Sequence, residues 1–141
     1  MFDNIFYTKL LDSFIERYKS ENRFIEFKSN HLEAKVLGEY ISALSNGACL
    51  DHVDFGYLFF GVDNDTLEVK GTTFDPEHTY LKTGQSLELF LRLGVTPKIR
   101  FEIGEFKYRD MIRVVVVKIP AAEGEPTMFH NEPFVRINES K

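Results

Sequence analysis

Four carboxylates stand where chemistry is easiest to imagine. Glu21 and Glu26 lie five residues apart around a short alternating segment, and Asp63 and Asp65 follow the apolar run Tyr57-Leu58-Phe59-Phe60-Gly61-Val62. If those two segments are neighbouring strands, three of these carboxylates could meet at one edge or end of a sheet. Oxygen ligands of this kind suit a hard divalent cation such as Mg²⁺ or Mn²⁺. A metal held that way activates water and stabilises in-line displacement at phosphate. The spacing also permits a plainer reading, in which Asp63 and Asp65 form an Asx turn and Glu26 pairs with Lys28 or a cross-strand base.

Cations offer the second chemistry. The net charge is −5, which argues against coating nucleic acid by electrostatics alone. Its distribution is uneven: residues 1–81 hold 7 basic and 14 acidic side chains, residues 82–118 hold 8 and 4, and residues 119–141 hold 2 and 4. Lys82, Arg92, Lys98, Arg100, Lys107, Arg109, Arg113 and Lys118 are expected either to make one positive face or to be ordinary solvated strand and helix residues. The remaining reactive types form no motif. The four histidines lack H-E-x-x-H spacing, and His52, between Asp51 and Asp54, reads as a solvated loop residue. Cys49 is the single cysteine, so an intrachain disulfide is excluded, and it reads as a small, buried or half-buried thiol. Walker A, dinucleotide-binding and G-x-S-x-G signatures are absent.

The elements that must position these groups follow from periodicity. With 141 residues, 43% hydrophobic and 14 Phe, the chain carries enough apolar material for one folded domain over 1–141 and is not disordered. No apolar run approaches the roughly 18–20 residues of a membrane span, so the expectation is a soluble, cytoplasmic domain without a membrane partner. Apolar residues at Ile5, Phe6, Leu10, Leu11, Phe14, Ile15 and Tyr18 trace one helical face over Asn4–Tyr18. Arg23–Lys28 alternates as a half-buried strand. Ser29-Asn30 offers cap chemistry for a helix from about His31 to Ser45, followed by a loop over 46–56. Tyr57–Val62 reads as a buried strand with Leu67–Gly71 as its hairpin partner, and a helix is expected from Leu81 to Leu93 with Gly94 as its stop. Strands are expected over Ile99–Ile103, Met111–Val117, Thr127–His130 and Phe134–Ile137. This order predicts an α+β fold, a two-layer sandwich of a mixed sheet with helices packed on it. The end at Asn138–Lys141, just after a strand, fits an N-terminal fragment of a longer chain as well as a complete protein.

Four strings, in order, resemble one family. Glu21-Asn22-Arg23-Phe24-Ile25-Glu26-Phe27-Lys28 is similar to the E-x-x-x-x-E-F-K opening of the Schlafen-type AlbA_2 domain. Ile41-Ser42-Ala43-Leu44-Ser45-Asn46 resembles its x-S-A-x-A-N helix end. Tyr57–Asp65 with Val69-Lys70-Gly71 resembles its G-x-L-x-x-G-V-x-D…V-x-G segment. Ile119-Pro120, Glu125-Pro126 and Phe134-Val135-Arg136-Ile137 resemble its close. The family's A-N-x-x-G-G turn is replaced by a longer segment, Gly47–Phe55, retaining Gly56.

The resemblance covers about residues 21–138 and implies a DNA- or RNA-binding domain of the kind found in bacterial transcriptional regulator-like proteins. Phosphate contacts would come from Lys28, Lys98, Arg100, Lys107, Arg109, Arg113 and Arg136, with no cofactor required. It also implies an alternative, a Schlafen-like endoribonuclease using Glu21, Glu26 and Asp63 with Mg²⁺ or Mn²⁺ and Asp65 nearby. That family's ribonuclease clamp has two copies of the domain, so cleavage here would need a homodimer or another partner. A third reading is an interaction or oligomerisation module without catalysis.

Overall fold

The computed structural model describes residues 2–17 and 22–136. The N-terminal pattern forms α1, Asn4–Arg17, capped by Asp3, whose Oδ1 accepts the Phe6 N–H at 2.8 Å. Its buried row is Tyr7, Leu11 and Phe14. At 100° per residue Ile5 and Phe6 point away from that row. Expected to face inward, they are 71% and 57% exposed. Tyr18 lies outside the described residues.

After β1 (Ile25–Lys28) comes α2, Ala34–Leu50. It differs from expectation at both ends. It starts after Glu33 with no side-chain cap, so Ser29-Asn30 plays no such part. It then runs straight through Asn46-Gly47-Ala48-Cys49-Leu50, which the sequence suggested was loop. Gly47 is there for close approach: a Cβ at that position would lie 1.6 Å from the Arg23 carbonyl oxygen. The helix ends instead at His52, whose φ of 58° turns the chain left-handed. The His52 N–H donates to the Cys49 carbonyl at 3.2 Å and the Val53 N–H to the Ala48 carbonyl at 3.0 Å, a Schellman closure. Cys49, expected to be buried or half-buried, therefore stands exposed on the last turn.

The run of aromatics becomes β2 (Phe55–Phe60). Its edges are both taken, by β1 in parallel and by β5 (Ile112–Pro120) in antiparallel pairing. Leu67–Gly71 therefore has no room to add as a hairpin strand and makes one bridge, Val62 to Val69. A tight turn at Leu81–Gln85, with the Gly84 N–H on the Leu81 carbonyl, delays the next helix. α3 spans Leu87–Gly94, capped by the Ser86 hydroxyl. β3 (Val95–Thr96), β4 (Glu102–Tyr108), β6 (Met128–Phe129) and β7 (Glu132–Pro133) complete the chain. Residues 134–136 are not strand, and Ile137 lies outside the described residues.

The main sheet runs β1-β2-β5-β4 and a small one runs β3-β6-β7. The expected α+β arrangement of a mixed sheet with helices packed on it is present, with helices on both faces. On one face Leu37, Ile41 and Leu44 of α2 and Leu91 of α3 meet Leu58, Phe60, Val115 and Val117. On the other Tyr7, Leu11 and Phe14 of α1 meet Ile25, Phe27, Phe59, Phe106, Val114 and Val116. Strand alternation assigns these sides, because successive side chains point to opposite faces. Among the described residues no helix is long and apolar enough to cross a membrane.

Candidate nucleic-acid interface

The carboxylates separate. Glu26 lies on the α2 side of β1 and is 2% exposed. Its Oε1 accepts the Arg136 Nε at 2.7 Å and its Oε2 accepts the Phe27 N–H at 3.2 Å. Arg136 is itself 5% exposed and also donates to the Asn22 carbonyl. Asp63 heads the turn after β2, where its Oδ1 accepts the Asp65 and Thr66 N–H groups, each at 2.9 Å. Those backbone donors, with Lys70 3.6 Å away, hold the Asp63 carboxyl below the usual carboxylate range. By register Glu26 stands opposite Leu58, five residues before Asp63. Among the described residues no three His, Cys, Asp or Glu side chains are grouped to hold a metal ion. Glu21 lies outside the described residues.

The cations separate too. Arg136 is sealed against Glu26. Arg113 is half-buried, with Nη1 on the Thr72 and Phe74 carbonyls at 3.1 and 2.6 Å and Nε on Glu105 at 3.2 Å. The Lys28 ammonium lies 5.1 Å from the centre of the Tyr40 ring. Lys98 donates to the Arg92 and Leu93 carbonyls at the end of α3, where a cation also meets the helix dipole. Arg100 is exposed beyond it. Lys107 and Arg113 are cross-strand partners, whereas Lys118 points to the other face of the sheet, over Phe55. The segment 82–118 thus does not form one positive face.

One of its cations does meet one from elsewhere. Arg109, just after β4, and Lys9 of α1 border a depression of about 300 Å³; Lys107 lines it as well, but its ammonium lies 3.6 Å from Glu105, on the sheet face it shares with Arg113. Asn4, Ile5, Thr8 and Tyr108 complete it. The helix is fastened there by polar residues at four-residue intervals, which a helix places on one side. Asn4 Oδ1 accepts the Lys107 N–H at 2.8 Å, the Thr8 hydroxyl reaches the Lys107 carbonyl at 3.4 Å, and Asp12 takes Arg109 and the Tyr108 hydroxyl. Partial burial raises the Asp12 pKa, but the hydrogen bonds from Arg109 and Tyr108 outweigh it and leave the carboxyl below its ordinary value. Burial and then Asp12 push the Tyr108 phenol up. Asp12 in turn holds the Arg109 guanidinium more firmly protonated. Arg109 Nε and Lys9 Nζ make no bond among the described residues, so both present donors to an incoming anion. Sequence reasoning found Lys107 and Arg109 and missed Lys9, Asn4, Thr8 and Asp12. The signal was present as the Asn4, Thr8, Asp12 row along α1.

A separate apolar groove of about 490 Å³ lies at the end of α2, between Cys49, Leu50, Pro126 and Phe134. It gathers no cations.

A search of curated proteins finds no match to this chain. Among solved structures, the solution NMR structure of the N-terminal domain of a protein from Nitrosomonas europaea, described as ATP-dependent DNA helicase RecG-related, superposes with a TM-score of 0.52. The two are 24% identical, and the match covers 95% of this chain and 90% of that one. Identity at that level supports the shared fold. Residues 21–141 match the family described as Schlafen, AlbA_2. That span takes in β1 with Glu26, all of α2, both sheets and Arg136, and on it the chain belongs to the Schlafen AlbA_2 family.

Proposed function

We propose that this chain is a DNA-binding domain that holds the phosphate backbone of a duplex at the α1–β4 depression, serving a larger cytoplasmic protein of the transcriptional-regulator kind. The observation that carries this reading is the meeting of Lys9 of α1 and Arg109, just after β4, at one depression, with Arg109 braced by Asp12 and Tyr108. Phosphate contacts of this sort position a protein on nucleic acid without reading sequence. The family, and the description of the Nitrosomonas protein as DNA helicase RecG-related, agree with DNA as the partner.

The test is a titration of a labelled duplex followed by fluorescence anisotropy. Non-specific binding is expected near a Kd of about 10⁻⁵ M at moderate salt. Lys9→Glu with Arg109→Glu should abolish it, while Lys82→Glu, outside the depression, should leave it unchanged. Equal loss in both variants would make the binding diffuse electrostatics and remove the site.

A further inference from the structure

The two edges of the main sheet, β1 and β4, are finished differently. The Phe24 and Lys28 carbonyls accept from Tyr57 and Gly61 on the β2 side, so Ile25 and Phe27 turn outward. Side chains stop both of their N–H groups: Asn22 Oδ1 accepts from Ile25 at 2.7 Å and Glu26 Oε2 from Phe27 at 3.2 Å. On β4 it is Lys107 that turns outward, its N–H on Asn4 and its carbonyl on the Thr8 hydroxyl. Alternation turns Glu105 and Ile103 the same way, because β5 pairs with β4 from the other side. Among the described residues nothing bonds the main-chain N–H or C=O of either one. Four backbone groups thus stand open on an edge strand. Native sheets ordinarily cover, charge or bend such an edge, because an open one pairs with another strand.

A cleft of about 280 Å³ adjoins the open stretch. Ile103, Glu105 and Arg113 of the sheet wall it on one side, and Asp75, Glu77 and His78, from the loop before α3, on the other. The cations around it are already engaged. Arg113 holds Glu105 and two carbonyls, His78 lies 2.9 Å from Asp75, and Lys107 reaches Glu105 from outside the cleft. Glu77 is exposed and makes no hydrogen bond or ion pair among the described residues, so the cleft is one cation short. On the other face of the strand the Phe2 ring fills the space over Gly104, where a Cβ would lie 2.4 Å from it.

Open N–H and C=O groups at alternate positions are filled by an extended chain. A second copy's β4 is a poor occupant. Its seven residues run into Asn4 and Thr8, which close the edge at Lys107. Antiparallel pairing about Gly104 also sets each Glu105 across from Ile103, and pairing about Glu105 sets like charges together. A short segment meets neither obstacle. Its residues opposite Ile103 and Glu105 face the cleft, and the one between them faces Phe2. We propose that the Ile103–Glu105 edge takes up a short extended segment of a partner protein, with an apolar residue on Phe2 and a neighbouring Lys or Arg paired with Glu77. This surface is independent of the DNA-binding reading above.

The probe is the blocked peptide Thr-Lys-Val-Lys-Thr, titrated into the isotope-labelled chain and followed by NMR. The Ile103, Glu105 and Glu77 amides should shift, with a Kd of about 10⁻³ M or tighter. Glu77→Gln, at an exposed position, should weaken binding by about two- to fivefold, the worth of an exposed ion pair. Exchanging both peptide lysines for glutamate should abolish it. Methylating the backbone nitrogens of the two lysines, or that of the valine, should give opposite results, because only alternate residues of an added strand bond the edge. The proposal is overturned if those amides stay still up to about 10⁻² M peptide, if the shifts lie elsewhere, if the acidic peptide binds as well, or if both methylated peptides behave alike. Broadening of the same amides with protein concentration alone would give the edge to a second copy and overturn it too. The duplex titration tests the DNA-binding reading separately, so either can fail without the other.

Discussion

Replacing Arg136 by methionine tests how the C-terminal segment is held to the sheet. Arg136 and Glu26 are 5% and 2% exposed, and their 2.7 Å contact is reinforced by the Asn22 carbonyl on one side and the Phe27 N–H on the other. Arg136→Met keeps the apolar length of the side chain and removes the charge. Glu26 is then left in the interior with one backbone donor. Breaking a buried pair from one side costs about 3–5 kcal/mol. For a chain of this length that corresponds to a fall of roughly 10–15 °C in the thermal midpoint. Removing both charges in Glu26→Met/Arg136→Met should recover most of the loss, because a well-packed apolar pair is often as stable as a buried ion pair. Urea unfolding followed by circular dichroism suits a chain without tryptophan and gives both values with the slope as a check on compactness. The reasoning is refuted if Arg136→Met costs less than about 1 kcal/mol, or if the double variant is less stable than the single one. The same pair bears on the ribonuclease alternative, since Glu26 reaches a metal ion only by leaving Arg136.

Three further outcomes are expected. The folded Asp12 carboxyl lies below its ordinary pKa, so its contribution is complete above the unfolded value of about 3.9. It is lost as pH falls through the lower folded value, and Asp12→Asn should flatten that acid limb in a thermal-unfolding pH series. Gly47→Ala should lower stability sharply despite alanine's better helix propensity, because the new methyl meets the Arg23 carbonyl at 1.6 Å; a stabilised variant in urea unfolding would contradict the packing described. Asp63→Asn, which keeps an accepting oxygen for the turn but loses the charge the fold favours, should melt slightly below the wild type, and Asp63→Ala, which loses the acceptor as well, should melt lower still. A Mn²⁺-induced rise in the wild-type midpoint that Asp63→Asn abolishes would instead make Asp63 a metal ligand.

The family and the α+β plan were legible because they rest on strong local patterns: the α1 period, the aromatic run of β2, the Val114–Val117 run of β5. The end of α2 was not legible. Asn46-Gly47 looks like a turn by residue type, yet Asn46 uses its side chain to bind the Thr127 and Phe134 carbonyls, and Gly47 makes room for a backbone 24 residues earlier. Both reasons are tertiary and leave no periodic trace. The cations were misjudged for a similar cause. Sequence segments count charges, but Arg113, Lys98 and Arg136 are consumed by carbonyls and a buried carboxylate from distant parts of the chain. The α1 contribution to the basic depression could have been seen in the polar row Asn4, Thr8, Asp12, which the helix places along one side.

The most direct measurement of the central claim is the salt dependence of duplex binding. Two phosphate contacts through Lys9 and Arg109 predict a log–log slope of about −1.8, and Lys9→Ala or Arg109→Ala should each reduce its magnitude by about 1. A wild-type protein that leaves the duplex unbound up to about 10⁻⁴ M, or a slope unmoved by either substitution, would contradict it.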